Sequence, residues 1–280
     1  APLAPTPRLR TLVSIGQRVP GDTTKARFNA MGEGIAFDGR YVGFWGAWGN
    51  EKREIKLYCP TEGNKDRRAY CNKELVCEGA DEPIGDPGSK CDSTGCFQER
   101  EVPVNQGIVV HDTRTKRTHL LAKTGEEFDD FLFWNSAGKA PCTGGGHHGG
   151  GEEGGEEDGE SVRWRSSAYL AVSSGIRATF RSAFKARTAD VDGIYLREGP
   201  GRSPFLTVAD TTMNGQLLDP EAPVDSTIIE VGIEREGLRG DWLAINAKMG
   251  FEGGEEEDDM AGIYITELDP RTCCRAPAAN

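Results

Sequence analysis

No run of this chain approaches the ~18–20 consecutive apolar residues that carry a helix across a bilayer. An Asn-x-Ser/Thr acceptor is absent as well, so N-linked glycosylation is not expected. Missing too are the Gly-x-Ser-x-Gly elbow, the Gly-x4-Gly-Lys-Ser/Thr loop and His-Glu-x-x-His, the local signals of serine hydrolases, nucleotide hydrolases and zinc peptidases. No amphipathic helical pattern of useful length stands out, which predicts low helix content. An excess of basic residues is lacking: 33 Lys and Arg face 45 Asp and Glu, for a net charge of −12. That balance argues against a nucleic-acid backbone or an anionic lipid surface as partner. It permits a divalent cation, a basic partner or a neutral glycan.

What the chain has instead is cysteine, glycine and repetition. The eight cysteines are Cys59, Cys71, Cys77, Cys91, Cys96, Cys142, Cys273 and Cys274. None forms the tight Cys-x2-Cys of a structural zinc site, so disulfides in an oxidising compartment are favoured. The even count disfavours a free catalytic thiol. Pairing cannot be read from spacing alone, although adjacent Cys273 and Cys274 are expected to reach different partners, with Cys142 one candidate. The opening Ala1-Pro2-Leu3-Ala4-Pro5 suits an end left by processing. A secreted or extracellular protein is therefore the expectation.

Thirty-seven glycines fit many turns. A strand motif occurs three times, as Gly107-Ile108-Val109-Val110, Gly193-Ile194-Tyr195-Leu196 and Gly262-Ile263-Tyr264-Ile265. The first two copies are followed by a second strand, at 119–124 and 205–210, and each copy is preceded by a hairpin. Asp38-Gly39 between alternating apolar residues is the strongest hairpin signal. The unit is thus hairpin, Gly-Ile strand, turn and second strand: three four-stranded units in an all-β fold. The third unit lacks its last strand, and Thr11–Ile15 is the segment expected to supply it. That closure suggests a ring of sheets resembling a β-propeller, with a prism or trefoil-like arrangement or a sandwich as alternatives. The reading is one all-β repeat domain over 1–280, with a disulfide-rich insertion at about 50–106. Alternation places Phe37, Tyr41 and Trp242 among the packing residues.

The Gly-Ile-Tyr strand, the Leu-Thr-Val-Ala-Asp-Thr-Thr segment at 206–212 and the apolar hairpin resemble a tandem repeat of secreted or surface-anchored bacterial proteins. The match is best over residues 193–268, and the cysteine-rich insertion departs from it. The resemblance implies a propeller-like fold and an extracytoplasmic location. It implies no catalytic residues.

Candidate sites are few. Tyr41, Trp45 and Trp48 cluster with Phe44, and such rings stack on sugar faces when exposed. The interleaved Gly43, Gly46 and Gly49 equally suit a crowded sheet junction. Glu255, Glu256, Asp258 and Asp259 offer carboxylates to a hard cation, with calcium the one cofactor considered, although the alternating spacing of an ordered calcium loop is absent. Paired His147 and His148 lie in a glycine tract, and His111 and His119 fall on neighbouring strands. Glu126, Glu127, Asp129 and Asp130, with Asp219 and Glu221 in the third unit, could serve an acid–base pair. Arg239-Gly240-Asp241 spells an adhesion tripeptide at a position where a turn is required. The expectation is a non-catalytic protein that recognises an extracellular glycan or protein, or self-associates into a surface layer or filament. The alternative is a secreted carbohydrate-active hydrolase or lyase using loop carboxylates. A calcium-associated matrix protein is a third reading.

Overall fold

Alternating and near-continuous apolar stretches become sixteen strands among the described residues of the computed structural model. The structure describes residues 9–125, 128–142, 160–173, 175–185, 190–200, 204–251 and 259–268. The strands begin with β1 (Phe28–Met31), β2 (Ala36–Phe37) and β3 (Tyr41–Tyr58), followed by the short helix α1 (Lys65–Cys71). Next come β4 (Lys90–Cys91), β5 (Cys96–Asp112), β6 (Arg117–Lys123), β7 (Phe133–Ala137) and β8 (Arg163–Ser167). Then follow β9 (Leu170–Ser173), β10 (Arg177–Lys185), β11 (Asp190–Arg197) and β12 (Leu206–Asp210). The last are β13 (Thr227–Gly232), β14 (Leu238–Arg239), β15 (Trp242–Gly250) and β16 (Met260–Glu267). The fold is all-β with several antiparallel sheets, and among the described residues none closes into a barrel.

The chain divides into two units. The first takes residues 1–51, 103–132 and 167–280, and the second 52–102 and 133–166. The cysteine-rich stretch expected at about 50–106 makes up most of the second unit. Residues 133–166 join it, with β7 paired to β8, and the sequence did not mark them.

In the first unit the three copies of the repeat form three sheets. The first runs β2–β3–β5–β6, with β1 beside β2 along the same edge of β3. The second runs β9–β10–β11–β12. The third runs from β13 and β14, which share one edge of β15, to β15 and then β16. β9 packs against both β2 and β14, so the leading strand of the second sheet touches the leading strands of the other two.

Close approach explains the glycines. A Cβ on Gly43 would lie 2.4 Å from Val172 Cγ1 and 2.6 Å from Leu170 Cδ1 on β9. One on Gly46 would lie 2.8 Å from the Phe28 ring. The Gly-Ile-Tyr motif has the same logic within one strand, since residues two apart share a face. The Tyr195 ring folds back over Gly193 and the Tyr264 ring over Gly262, each hydroxyl 2.7 Å from where a Cβ would stand. In the first copy Val109 replaces the tyrosine, and Trp48 and Leu120 cover Gly107 instead.

Around these contacts lies a core of rings. Phe128 packs on Phe131, Phe180, Tyr195 and Phe205 at centroid separations of 4.9–5.5 Å. Phe131 and Phe180 have no exposed surface. Burying each such ring contributes roughly 1.5–3 kcal/mol.

Two expectations are corrected here. Thr11–Ile15 forms no strand and does not pair with β16. Instead Gly16 donates to the Phe28 carbonyl, Phe28 to that of Gln17, and Val19 to that of Ala26. Val13 and Val19 then pack with Phe28, Phe44 and Trp48. A contact closed over some ten residues costs less loop entropy than one closed over the length of the chain. The second correction is of phase. Tyr41 is buried, but Phe37 and Trp242 are half exposed, because Ala36, Leu243 and Ile245 take the inward positions of their strands.

An ion pair ties the start of β3 to the β5–β6 turn. The Arg40 guanidinium donates to both oxygens of Asp112, at 2.9 and 2.6 Å, and the Arg114 amide donates to Oδ1. The Arg40 contact comes first among the causes that hold the Asp112 carboxyl far below the usual carboxylate range.

Two outcomes are expected. Gly43→Val should lower stability by about 1–3 kcal/mol, as overpacked core positions do, in a denaturant titration. Asp112→Asn should lower the melting temperature at pH 7. The folded carboxyl titrates below the unfolded value near 4, so its stabilisation is complete above about pH 4 and is lost as the pH falls further. The gap between wild type and variant, followed by thermal scans, should therefore shrink below pH 4 and not above pH 7.

Candidate functional site

The second unit is held by three disulfides. Cys59–Cys71 joins the end of β3 to the last turn of α1, and Cys91–Cys96 closes the β4–β5 hairpin. Cys77–Cys142 spans 65 residues, so Cys142 is bonded within this unit, while Cys273 and Cys274 lie outside the described residues. Three disulfides suit an oxidising compartment.

The staples shape a cleft of about 520 Å³ between α1 and the β4–β5 hairpin. Asn64 caps α1, its side chain accepting from the Arg67 amide at 2.9 Å, and Asp66 in the first turn suits the helix dipole. The helix thereby aims Lys65 and Arg68 at the cleft. Arg68 donates through Nη1 to the Thr61 carbonyl, and its buried Nε has no hydrogen-bond partner. Across the opening stands Tyr58, 40% exposed. Its ring leans on Phe97 at 5.5 Å, and its hydroxyl donates to Asp92 at 3.4 Å. Asp92 accepts from Lys56 Nζ at 2.8 Å, and the Lys56 ammonium lies 4.1 Å over the Phe97 ring. That lysine is the first cause of the lowered Asp92 pKa, so the anion that anchors Tyr58 stays charged. Asn72, Thr94 and a single carboxylate, Glu74, complete the polar lining. A half-exposed ring, two cations and neutral hydrogen-bonding groups are what a sugar with an acidic substituent needs.

A second cavity of about 590 Å³ lies beside Cys77–Cys142, lined by Asp66, Glu78 and Lys139 among others.

The residues singled out from sequence lie elsewhere. Tyr41, Trp45 and Trp48 are 4%, 4% and 6% exposed and present no open face to a sugar. Trp45 Nε1 donates to buried Gln106 Oε1 at 3.0 Å, and Trp48 meets Phe28 edge-on. Their burial matches core packing, with the interleaved glycines as the signal. Of the cation candidates, Glu255, Glu256 and Asp258 lie outside the described residues. Asp259 is described, and it pairs with Lys248 at 2.8 Å. Among the described residues no group of three His, Cys, Asp or Glu is placed to hold a metal ion. His147, His148, Glu126 and Glu127 also lie outside the described residues.

His111 shares a hydrogen bond with Thr118 Oγ1 at 2.9 Å, and burial pushes its pKa down. Several carboxylates serve turns. Asp130 accepts from the Leu132 amide, and Asp219 from the Glu221 amide and the Tyr264 hydroxyl. The Arg239-Gly240-Asp241 turn is internally committed: Arg239 pairs with Glu236, and Asp241 accepts from Arg177 at 2.7 Å. Sequence reasoning passed over Tyr58, Lys65 and Arg68, whose one signal was an aromatic next to Cys59 and two cations between Cys59 and Cys71.

Comparison with protein-family models, with curated proteins and with solved structures finds no match. The site's chemistry therefore carries the functional argument.

Opening Cys77–Cys142 by Ser substitution at both positions should destabilise the second unit by on the order of 4 kcal/mol, from the entropy of a loop this long. Limited proteolysis should then cut within 52–102 first. Unchanged cleavage kinetics would show that the bond adds nothing.

Proposed function

We propose that this is a secreted, non-catalytic binding protein whose three propeller-like units form a scaffold and whose cysteine-stapled cleft recognises an extracellular glycan bearing acidic sugars. The observation that carries this reading is the placement of the Tyr58 ring beside Lys65 and Arg68 in one cleft. The ring offers a sugar an apolar face, and Lys65 and Arg68 bring two positive charges that attract a carboxylate or sulfate. In a chain of net charge −12, two cations in one cleft give local attraction against a repelling background. The lone Glu74 supports binding over hydrolysis, because glycoside cleavage uses two facing carboxyl groups. The disulfides support an oxidising location. The convergence of β2 and β14 on β9 supports the propeller-like arrangement of units.

A glycan array with the purified protein tests the reading. Acidic oligosaccharides should be retained, with affinity falling as salt rises. Arg68→Met and Tyr58→Leu should each weaken binding about tenfold or more while the melting temperature holds. Retention of neutral glycans only, or equal binding by both variants, would remove the cleft from the account.

A further inference from the structure

Among the described residues, the third repeat unit stops short at the outer edge of β16. In the first sheet the Gly107 strand is followed outward by β6, and in the second the Gly193 strand is followed by β12. β16 pairs with β15 on one side, and no described strand pairs with its other side. Among the described residues, its backbone groups there meet no partner strand. Exposed apolar side chains stand on one face beside it, with Asn246 opposite Ile263. Ile263 is 85% exposed, Ile265 69% and Trp242 50%, and the register sets Ile265 beside Ala244 and Glu267 beside Trp242. Contiguous exposed apolar surface that includes a tryptophan marks contact with another protein.

We infer that β16 pairs antiparallel with β16 of a second copy of this chain, joining two third sheets into one continuous sheet across a two-fold axis. Three observations select a second copy. First, the segment Met260-Ala-Gly-Ile-Tyr-Ile-Thr-Glu267 is its own complement. Centred on Tyr264, Ile263 of one copy lies opposite Ile265 of the other, and the four isoleucines meet on one face. Second, charge permits it. Two copies of a −12 chain repel at most surfaces, but β16 carries no charge before Glu267. In that register Glu267 faces the small Ala261 and not its own counterpart. Third, β16 carries one charge, at its last residue Glu267, where β6, the outer strand of the first sheet, carries a cation at each end, Arg117 and Lys123. The same outward-facing edge that takes β6 and β12 in the other copies is an antiparallel acceptor here. This inference is independent of the cleft.

Analytical ultracentrifugation of the full chain from about 1 to 100 μM tests it. The wild type should show a reversible dimer. Ile263→Lys with Ile265→Lys should raise the dissociation constant roughly 100-fold or more, since four apolar side chains leave the contact and four charges enter it. Both positions are exposed, so the melting point extrapolated to low concentration should hold. Register is read by cysteine cross-linking. Ile263→Cys mixed with Ile265→Cys should give an intermolecular disulfide, and either variant alone far less. A wild type that stays monomeric throughout, a dimer indifferent to the lysines, or cross-links of equal yield from Ile263→Cys alone would each overturn the proposal.

Discussion

The architecture of the first unit depends on backbone reaching backbone or ring at positions where no side chain intervenes. At Gly43 the strand passes Val172 and Leu170 so closely that one methyl group has no room. Remove that approach and β9 loses its seat beside β2. The leading strands could then no longer converge, and the ring cluster around Phe128 would lose the sheets that hold it. Hydrophobic burial supplies the driving force, but its geometry is set by where atoms are missing.

The same constraint accounts for what was legible in the sequence. Gly-Ile-Tyr reads as a strand because glycine and tyrosine two apart share a face, and the ring occupies the space the glycine leaves. The Asp38-Gly39 turn was legible because Asp38 accepts from the Arg40 and Tyr41 amides while Gly39 takes φ 97°. The partner of the third unit was not. Thr11–Ile15 has strand-like composition, yet whether Val13 joins β16 or the Phe28 cluster depends on loop entropy and on packing with distant residues, which leave no mark on residue type. The phase error at Phe37 and Trp242 has a similar origin. Alternation says that neighbours face opposite sides, and only the packed sheet says which side is in.

The second unit inverts this balance. Its secondary structure is sparse, and its helix has seven residues. Cysteines were correctly legible as staples, but their connectivity was open, and so was the cleft they create. The aromatics that looked available lie under the glycine-lined junction of the first unit. The ring that is available, Tyr58, carried no pattern beyond its neighbour Cys59.

The described disulfides all fall in the second unit. Under reducing conditions the two units would therefore respond differently. The repeat sheets would keep their shape, since glycine and ring contacts do not respond to thiols. The cleft would lose the tether between Tyr58 and the helix that carries Arg68. One unit is shaped by packing alone, and the other also by the electrochemical potential of the fluid around it.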